Sequence, residues 1–161
     1  MVNNVITRRG FIQAGGGVVT ASLAASATSV AALAQVRGGA RVRGQPLPEG
    51  VKFPSTPPRR KRSDSVGFAI VGLGGYALNQ MMPRFDQAER AHIAAIVSGN
   101  PDKLRQVGDA YGVPEDARYS YDAFARIASD DRIDAVYIVL PTGLHAEWAI
   151  RAFAAGKHAR P

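Results

Sequence analysis

A short apolar run that ends in a cluster of glycines constrains this 161-residue chain more than any other feature. Residues 68–71 read Phe-Ala-Ile-Val, and a short apolar run closed by glycine is typical of a buried parallel strand. The segment that follows consists of Gly72, Leu73, Gly74, Gly75, Tyr76 and Ala77. In this G-x-G-x-x-A pattern the first glycine permits a tight turn, the second lets a ligand approach the backbone, and the last small residue packs closely on the strand.

The context of this turn decides between two interpretations. A glycine-rich turn can be purely structural, with no ligand. Here the turn follows a strand, opens a helix over about residues 75–85 and belongs to a β-α-β unit, with Pro83 bending or ending the helix. Backbone amides at the start of such a helix point at phosphate groups. We therefore predict that residues 72–77 hold the pyrophosphate of a dinucleotide.

The end of the next predicted strand, residues 93–97, indicates which dinucleotide is bound. NAD-specific sites place an aspartate or glutamate there, on the ribose 2′-hydroxyl. This chain instead has Ser98, Gly99 and Asn100, followed by Lys103. A hydroxyl and an ammonium can accept a 2′-phosphate that a carboxylate would repel, so the sequence favours NADP. Alternatively, Asn100 caps the next helix and Lys103 lies on its solvated face, and both readings can hold together.

The remaining periodicity predicts an α/β fold, a Rossmann-type doubly wound parallel sheet that is incomplete at its C-terminal side. We predict a domain over residues 66–161, in which the last helix has Leu144, Trp148, Ala152 and Phe153 on its packing face and Gly156 after its end. The other predicted elements are a helix over 102–111, a very short strand over 118–119, a short helix over 121–129, a strand over 135–140, and the last helix over 144–155.

A second group of candidate site residues follows the strand over 135–140. Leu140, Pro141, Thr142 and His145 lie at its carboxyl end, where open α/β sheets bind ligands. His145 could hydrogen-bond a cofactor or substrate, or it could be a histidine at a helix start that faces solvent. We predict no metal site here, because the sequence places no second ligand beside it.

The N-terminus predicts an export signal over residues 1–34. Thr7-Arg8-Arg9-Gly10-Phe11 precedes a weakly apolar run that ends in Ala32-Leu33-Ala34, a pattern typical of twin-arginine signals. Cleavage after Ala34 would place the protein in the periplasm without a stable membrane span. The alternatives are an uncleaved anchor and an incidental alanine-rich helix, but a span needs about 20 strongly apolar residues.

The formal net charge of +7 is concentrated outside the predicted domain. Residues 35–65, the predicted basic arm or linker, include five of the ten prolines and the run Arg59-Arg60-Lys61-Arg62, and either stay solvated or lie over a neighbouring subunit or an anionic ligand. Residues 63–161 are slightly acidic, so we expect no nucleic-acid partner. The absence of cysteine excludes disulfides and thiol catalysis.

With these residues in view, residues 66–158 resemble the glucose–fructose oxidoreductase, inositol dehydrogenase and MocA (Gfo/Idh/MocA) family. The similarity is closest to its exported glucose–fructose oxidoreductases. It rests on Ala-Ile-Val-Gly-Leu-Gly with the following 76–80, on 97–100, on 133–138 and on 144–147. The resemblance implies a tightly held NADP and hydride transfer to or from a small-molecule sugar. It also implies that Ser98 and Lys103 contact the 2′-phosphate, that Pro141, Thr142 and His145 lie beside the nicotinamide, and that the arm reaches a neighbouring subunit.

Two positions depart from the family pattern. Thr142 replaces the usual asparagine, a mild change that keeps a polar side chain. After Gly156-Lys157-His158 the family continues to a Glu-Lys-Pro run with a catalytic lysine, and no residue here matches it, so we assign no catalytic residue. We therefore expect a truncated sugar oxidoreductase that is inactive alone, with homo-oligomers only for a full-length form. The alternative is a non-enzymatic, exported dinucleotide-binding module or regulatory half.

Overall fold

The computed structural model describes residues 45–55 and 64–161. The predicted export signal and the arm residues 35–44 and 56–63 lie outside the described residues, so these assignments stay predictions. None of the helices in the described part of the chain has the length and apolar character needed to cross a membrane. The described strands are β1 (Val66–Val71), β2 (Ala91–Val97), β3 (Arg118–Tyr119), β4 (Ala135–Ile138) and β5 (His158–Arg160). The α-helices are α1 (Met82–Phe85), α2 (Pro101–Tyr111) and α3 (His145–Ala154).

These strands form one five-stranded sheet in the order β3-β2-β1-β4-β5, and every pairing is parallel. The chain runs outward from β1 to β2 and β3, returns to the other side of β1 as β4, and continues outward to β5. The strand order therefore reverses beside β1, which is the kind of switch point where open α/β sheets bind ligands. The predicted α/β, Rossmann-type fold is confirmed.

The edge strand β5 follows the last helix and pairs with β4. Ala159 pairs with Val136 and Arg160 with Tyr137, so β5 covers the flank of β4. The strand β4 itself ends at Ile138, although Val139 N still donates a hydrogen bond to Val71 O at 2.7 Å. Beyond it, Leu140 is half-buried and packs against the core.

The helix after β1 begins with an irregular turn. A π-helical segment, Ala77–Met81, leads into α1, and Met82 N donates to Ala77 O. Pro83 explains the widening, since proline has no N–H for an α-helical bond and its ring clashes with the preceding turn. The segment still buries Ala77, Leu78 and Met82 against the sheet.

The last helix, α3, was predicted with one error. Trp148 and Ala152 are buried as expected, and the Trp148 ring packs edge-on against Phe124 with centroids 5.0 Å apart. Phe153, however, is 61% exposed and does not belong to the packing face. Its position in the helical repeat places it on the side opposite Leu144, beside the exposed Ile150.

Candidate dinucleotide-binding site

The first glycine of the turn is required by the packing of the sheet. Gly72 has a φ of +97°, and its N–H donates to Val97 O at 3.0 Å. A Cβ at this position would overlap the Val139 carbonyl oxygen and lie 2.8 Å from Leu140 Cδ2. Only glycine satisfies both the backbone conformation and the close approach of the β4–α3 connection.

The second glycine has the opposite surroundings. Gly74 is exposed, its φ is not positive, and a Cβ added there would meet no atom within 4 Å. A Cβ at the neighbouring Gly75 would also enter open space. The helix then begins, with Leu78 N donating to Gly74 O at 3.0 Å, and the Tyr76 side chain is 64% exposed. The turn therefore has an open face of bare backbone that a phosphate group could approach.

The turn after β2 is stabilised by hydrogen bonds among its own residues. Ser98 is only 4% exposed, and its Oγ accepts a hydrogen bond from Asn100 N at 3.3 Å. Asn100 Oδ1 accepts from Lys103 N at 3.1 Å, so the predicted cap of α2 is confirmed. Gly99 between them is exposed. No carboxylate occupies the end of β2, because residues 98–100 carry none.

Lys103 does not lie on a solvated helix face, which was the alternative interpretation of the sequence. It is 4% exposed, and its Nζ donates to the Leu73 carbonyl at 2.9 Å. Side chains in the first turn of a helix point back toward its N-terminus, and here that direction leads under the glycine-rich turn. Burial lowers the pKa of the Lys103 amine. The structure thus joins the two predicted ligand turns through one side chain.

The candidate residues after β4 form a separate group at the same edge of the sheet. Pro141 and Thr142 are exposed, and residues 142–144 form a short 3-10 turn. The half-buried His145 approaches the Leu140 carbonyl with its Nε2 at 2.7 Å. Because a carbonyl can only accept, Nε2 carries the proton and donates. The ring therefore fixes the turn that follows β4, and the structure brings Leu140, rather than His145, against Gly72.

Sequence reasoning missed a contact from the segment before β1. Within residues 45–55, Leu47, Val51 and Phe53 pack against the core, and Gln45 O accepts from Asn100 Nδ2 at 3.2 Å. This part of the predicted arm or linker therefore rests on its own domain beside the β2–α2 turn. The apolar residues spaced among the prolines were the signal that could have shown it.

The described residues fit a phosphorylated dinucleotide. The open face at Gly74 is a cradle that a Cβ would fill, and no acidic residue stands among residues 98–100 at the end of β2. Across residues 45–55 and 64–161 there is no cluster of three His, Asp or Glu side chains that could hold a metal ion. The fold and this site define a dinucleotide-binding domain of the Rossmann type.

Comparison with known proteins identifies the family. The profile described as the oxidoreductase family with an NAD-binding Rossmann fold, Gfo/Idh/MocA, matches residues 66–159, more than half of the chain. The chain therefore belongs to the Gfo/Idh/MocA oxidoreductase family, as the sequence resemblance predicted.

Individual relatives match the same part of the chain. An uncharacterized oxidoreductase, ORF334, of Rhizobium meliloti is 39% identical over 59% of this chain and 27% of its own length. D-xylose 1-dehydrogenase (NADP(+)) 2 of Haloferax volcanii is 36% identical over 56% of this chain and 26% of its own length. This chain thus spans about a quarter of the length of these curated relatives.

Two solved structures are similar to the same share of the chain. The aldose–aldose oxidoreductase of Caulobacter crescentus, crystallised with glycerol, is 47% identical with a TM-score of 0.58, over 59% of this chain and 28% of that one. KijD10, a 3-ketoreductase of Actinomadura kijaniata in complex with NADP, is 28% identical with a TM-score of 0.52, over 59% of this chain and 29% of that one.

Proposed function

We propose that this chain is the NADP-binding domain of an exported, NADP-dependent sugar oxidoreductase of the glucose–fructose oxidoreductase type. The observation that carries the choice of cofactor is the end of β2, where Ser98 and Lys103 are buried and no carboxylate stands. An acidic residue there would bind the 2′-hydroxyl of NAD and repel the 2′-phosphate of NADP. A relative named as an NADP(+) enzyme and a structural neighbour crystallised with NADP are consistent with this choice.

The proposed sugar substrate is based on the names of two similar proteins. The protein from Haloferax volcanii is named a D-xylose dehydrogenase and that from Caulobacter crescentus an aldose–aldose oxidoreductase. The proposed periplasmic location rests on the twin-arginine pattern at Arg8 and Arg9, with cleavage after Ala34. The twin-arginine route carries folded proteins, which suits a domain that takes up its cofactor before export.

In this proposal the chain's own residues bind and orient NADP. The open backbone at Gly74 and the start of the following helix hold the pyrophosphate, while Ser98 and Lys103 hold the 2′-phosphate. Pro141, Thr142 and His145 would border the nicotinamide, with His145 keeping the turn in place through Leu140 O. Bound NADP would supply hydride transfer.

The experiment is a titration of the purified chain with NADPH and NADH by calorimetry, beside the variant Ser98→Asp. We expect NADPH to bind at least about tenfold more tightly than NADH, a difference of about 1.4 kcal/mol, and Ser98→Asp to reverse the order. Thermal unfolding of the variant controls for the cost of a buried carboxylate. Equal affinities in the wild-type chain would contradict the NADP assignment.

A further inference from the structure

The hydrogen bond from Lys103 to the glycine-rich turn fixes a carbonyl that no other described group holds. Gly72 N is bonded to Val97 O, and Gly74 O accepts from Leu78 N, so both ends of the turn are anchored by backbone. Between them, the Leu73 carbonyl accepts from Lys103 Nζ at 2.9 Å. Leu73 and Lys103 are 2% and 4% exposed, so this bond is shielded from water.

The direction of the Leu73 carbonyl sets the direction of the next amide. In a trans peptide the C=O of one residue and the N–H of the next lie in one plane and point in opposite directions. The bond between Leu73 and Gly74 is such a peptide, since the described residues contain no cis bond. With the carbonyl drawn inward to Lys103, the Gly74 N–H is turned to the opposite side of the peptide plane. A Cβ added at Gly74 would meet only open space.

The burial of Lys103 needs an explanation that its hydrogen bond alone does not give. Removing an ammonium from water is costly unless it is paired. Among residues 45–55 and 64–161, none of the ion pairs involves Lys103, and a backbone carbonyl is the acceptor of its side chain. A cation kept beside a turn without a carboxylate partner suits a place where an anion binds.

We propose that Lys103 is a positioning residue for the pyrophosphate turn, which holds the Leu73 carbonyl so that the Gly74 N–H faces the cofactor phosphates. The inference rests on the proposed function for the identity of the ligand, and it adds a role that does not depend on the 2′-phosphate. Lys103 then supports the binding of any dinucleotide, in addition to contacting the 2′-phosphate of NADP.

The test compares Lys103→Met with Lys157→Met in the full chain. Methionine keeps the length of the side chain and removes the donor. Lys157 is the matched control because its Nζ also donates to a backbone carbonyl, Asp130 O at 3.0 Å, away from the site. We measure the Kd for NADH, which has no 2′-phosphate, the Kd for NADPH, and the NMR order parameter of the Gly74 amide without cofactor.

We expect Lys103→Met to raise the Kd for NADH about tenfold, because the variant loses one charge-assisted hydrogen bond that holds the turn. The same variant should lower the order parameter of the Gly74 amide, while Lys157→Met should change neither quantity. Lys103→Arg, which keeps a charged donor, should restore most of the Gly74 order. If Lys103→Met weakens only NADPH binding and leaves Gly74 ordered, the positioning role is wrong and Lys103 acts on the 2′-phosphate alone. Unchanged affinity for both cofactors also overturns the proposal.

Two further controls cover a variant that does not fold and a wild-type chain that does not bind cofactor. If Lys103→Met does not fold by circular dichroism, Lys103→Gln replaces it, since glutamine is too short to reach the same carbonyl but remains polar. If the wild-type chain binds neither dinucleotide, the proposed function fails, whereas the Gly74 order parameter still decides whether Lys103 fixes the turn.

Discussion

The two glycines of the turn should respond to the same substitution in opposite ways. At Gly72 an alanine would have to adopt a φ of +97° and its Cβ would lie 2.8 Å from Leu140 Cδ2, in addition to overlapping Val139 O. The left-handed backbone alone costs about 1–2 kcal/mol for a residue other than glycine. The overlap with a carbonyl that is itself part of the sheet connection adds to this, so we expect Gly72→Ala to lower the free energy of unfolding by about 3 kcal/mol or more.

At Gly74 the same change meets neither obstacle. The φ is not positive and the Cβ enters open space, so the folded state tolerates alanine. Because alanine also restricts the unfolded chain, Gly74→Ala should leave the stability unchanged or raise it by about 0.4–1 kcal/mol. The new methyl group would, however, occupy the face that the pyrophosphate must approach, and we expect the Kd for NADPH to rise at least about tenfold.

The assay is urea unfolding followed by Trp148 fluorescence, together with NADPH calorimetry, on both variants. Trp148 is buried, so its emission reports the loss of the core. Gly74→Ala is thus expected to separate binding from stability, and Gly72→Ala to lose both. The reasoning is refuted if Gly74→Ala binds NADPH as tightly as the wild-type chain, or if Gly72→Ala unfolds at the same urea concentration.

Two further predictions concern stability alone. Hydrogen bonds from Arg132, aided by that of Tyr119, lower the pKa of Asp130 from 3.8 to about 2, so this carboxylate stabilises the fold above pH 4 and the gain is lost as the pH falls toward 2. Asp130→Asn should therefore cost about 2 kcal/mol at neutral pH, and urea titrations should show the difference from wild type narrowing on acidification; a constant difference would contradict the linkage. Trp148→Ala should cost about 3–5 kcal/mol, whereas Phe153→Ala, at a side chain that is 61% exposed, should change the Tm little; comparable losses in the two variants would argue against the burial seen for α3.

The sequence predicted the elements whose signal is local. The apolar run before Gly72 and the G-x-G-x-x-A pattern each identify a structure from neighbouring residues, and the structure has β1 and the turn where they were expected. The cap of α2 by Asn100 is another local feature, since the bond spans only three positions to Lys103 N. These features need no knowledge of the distant chain.

The misjudged features depend on contacts between distant residues. The sequence left open whether Lys103 lies on a solvated helix face, and the structure decides this by placing Leu73 O within reach of its Nζ, a contact across 30 positions of sequence. Phe153 was predicted on the packing face of the last helix, but the helix has its buried side at Trp148 and Ala152. The packing of Leu47 and Phe53 against the core could not be predicted locally, because their partners are distant in the sequence.

The distribution of charge in the described residues also separates stability from binding. The Asp130 carboxylate is paired in two ways, with Arg132 Nε at 2.8 Å and the Tyr119 hydroxyl at 2.7 Å, and Asp134 Oδ2 accepts from Gly67 N at 2.7 Å where β1 begins. Both aspartates precede β4 in the sequence. The buried Lys103, by contrast, has a carbonyl as its acceptor. A fold that pairs its buried carboxylate, Asp130, with a guanidinium and a hydroxyl but keeps a buried cation beside the glycine-rich turn without such a partner among the described residues is arranged to receive an anionic ligand at that turn.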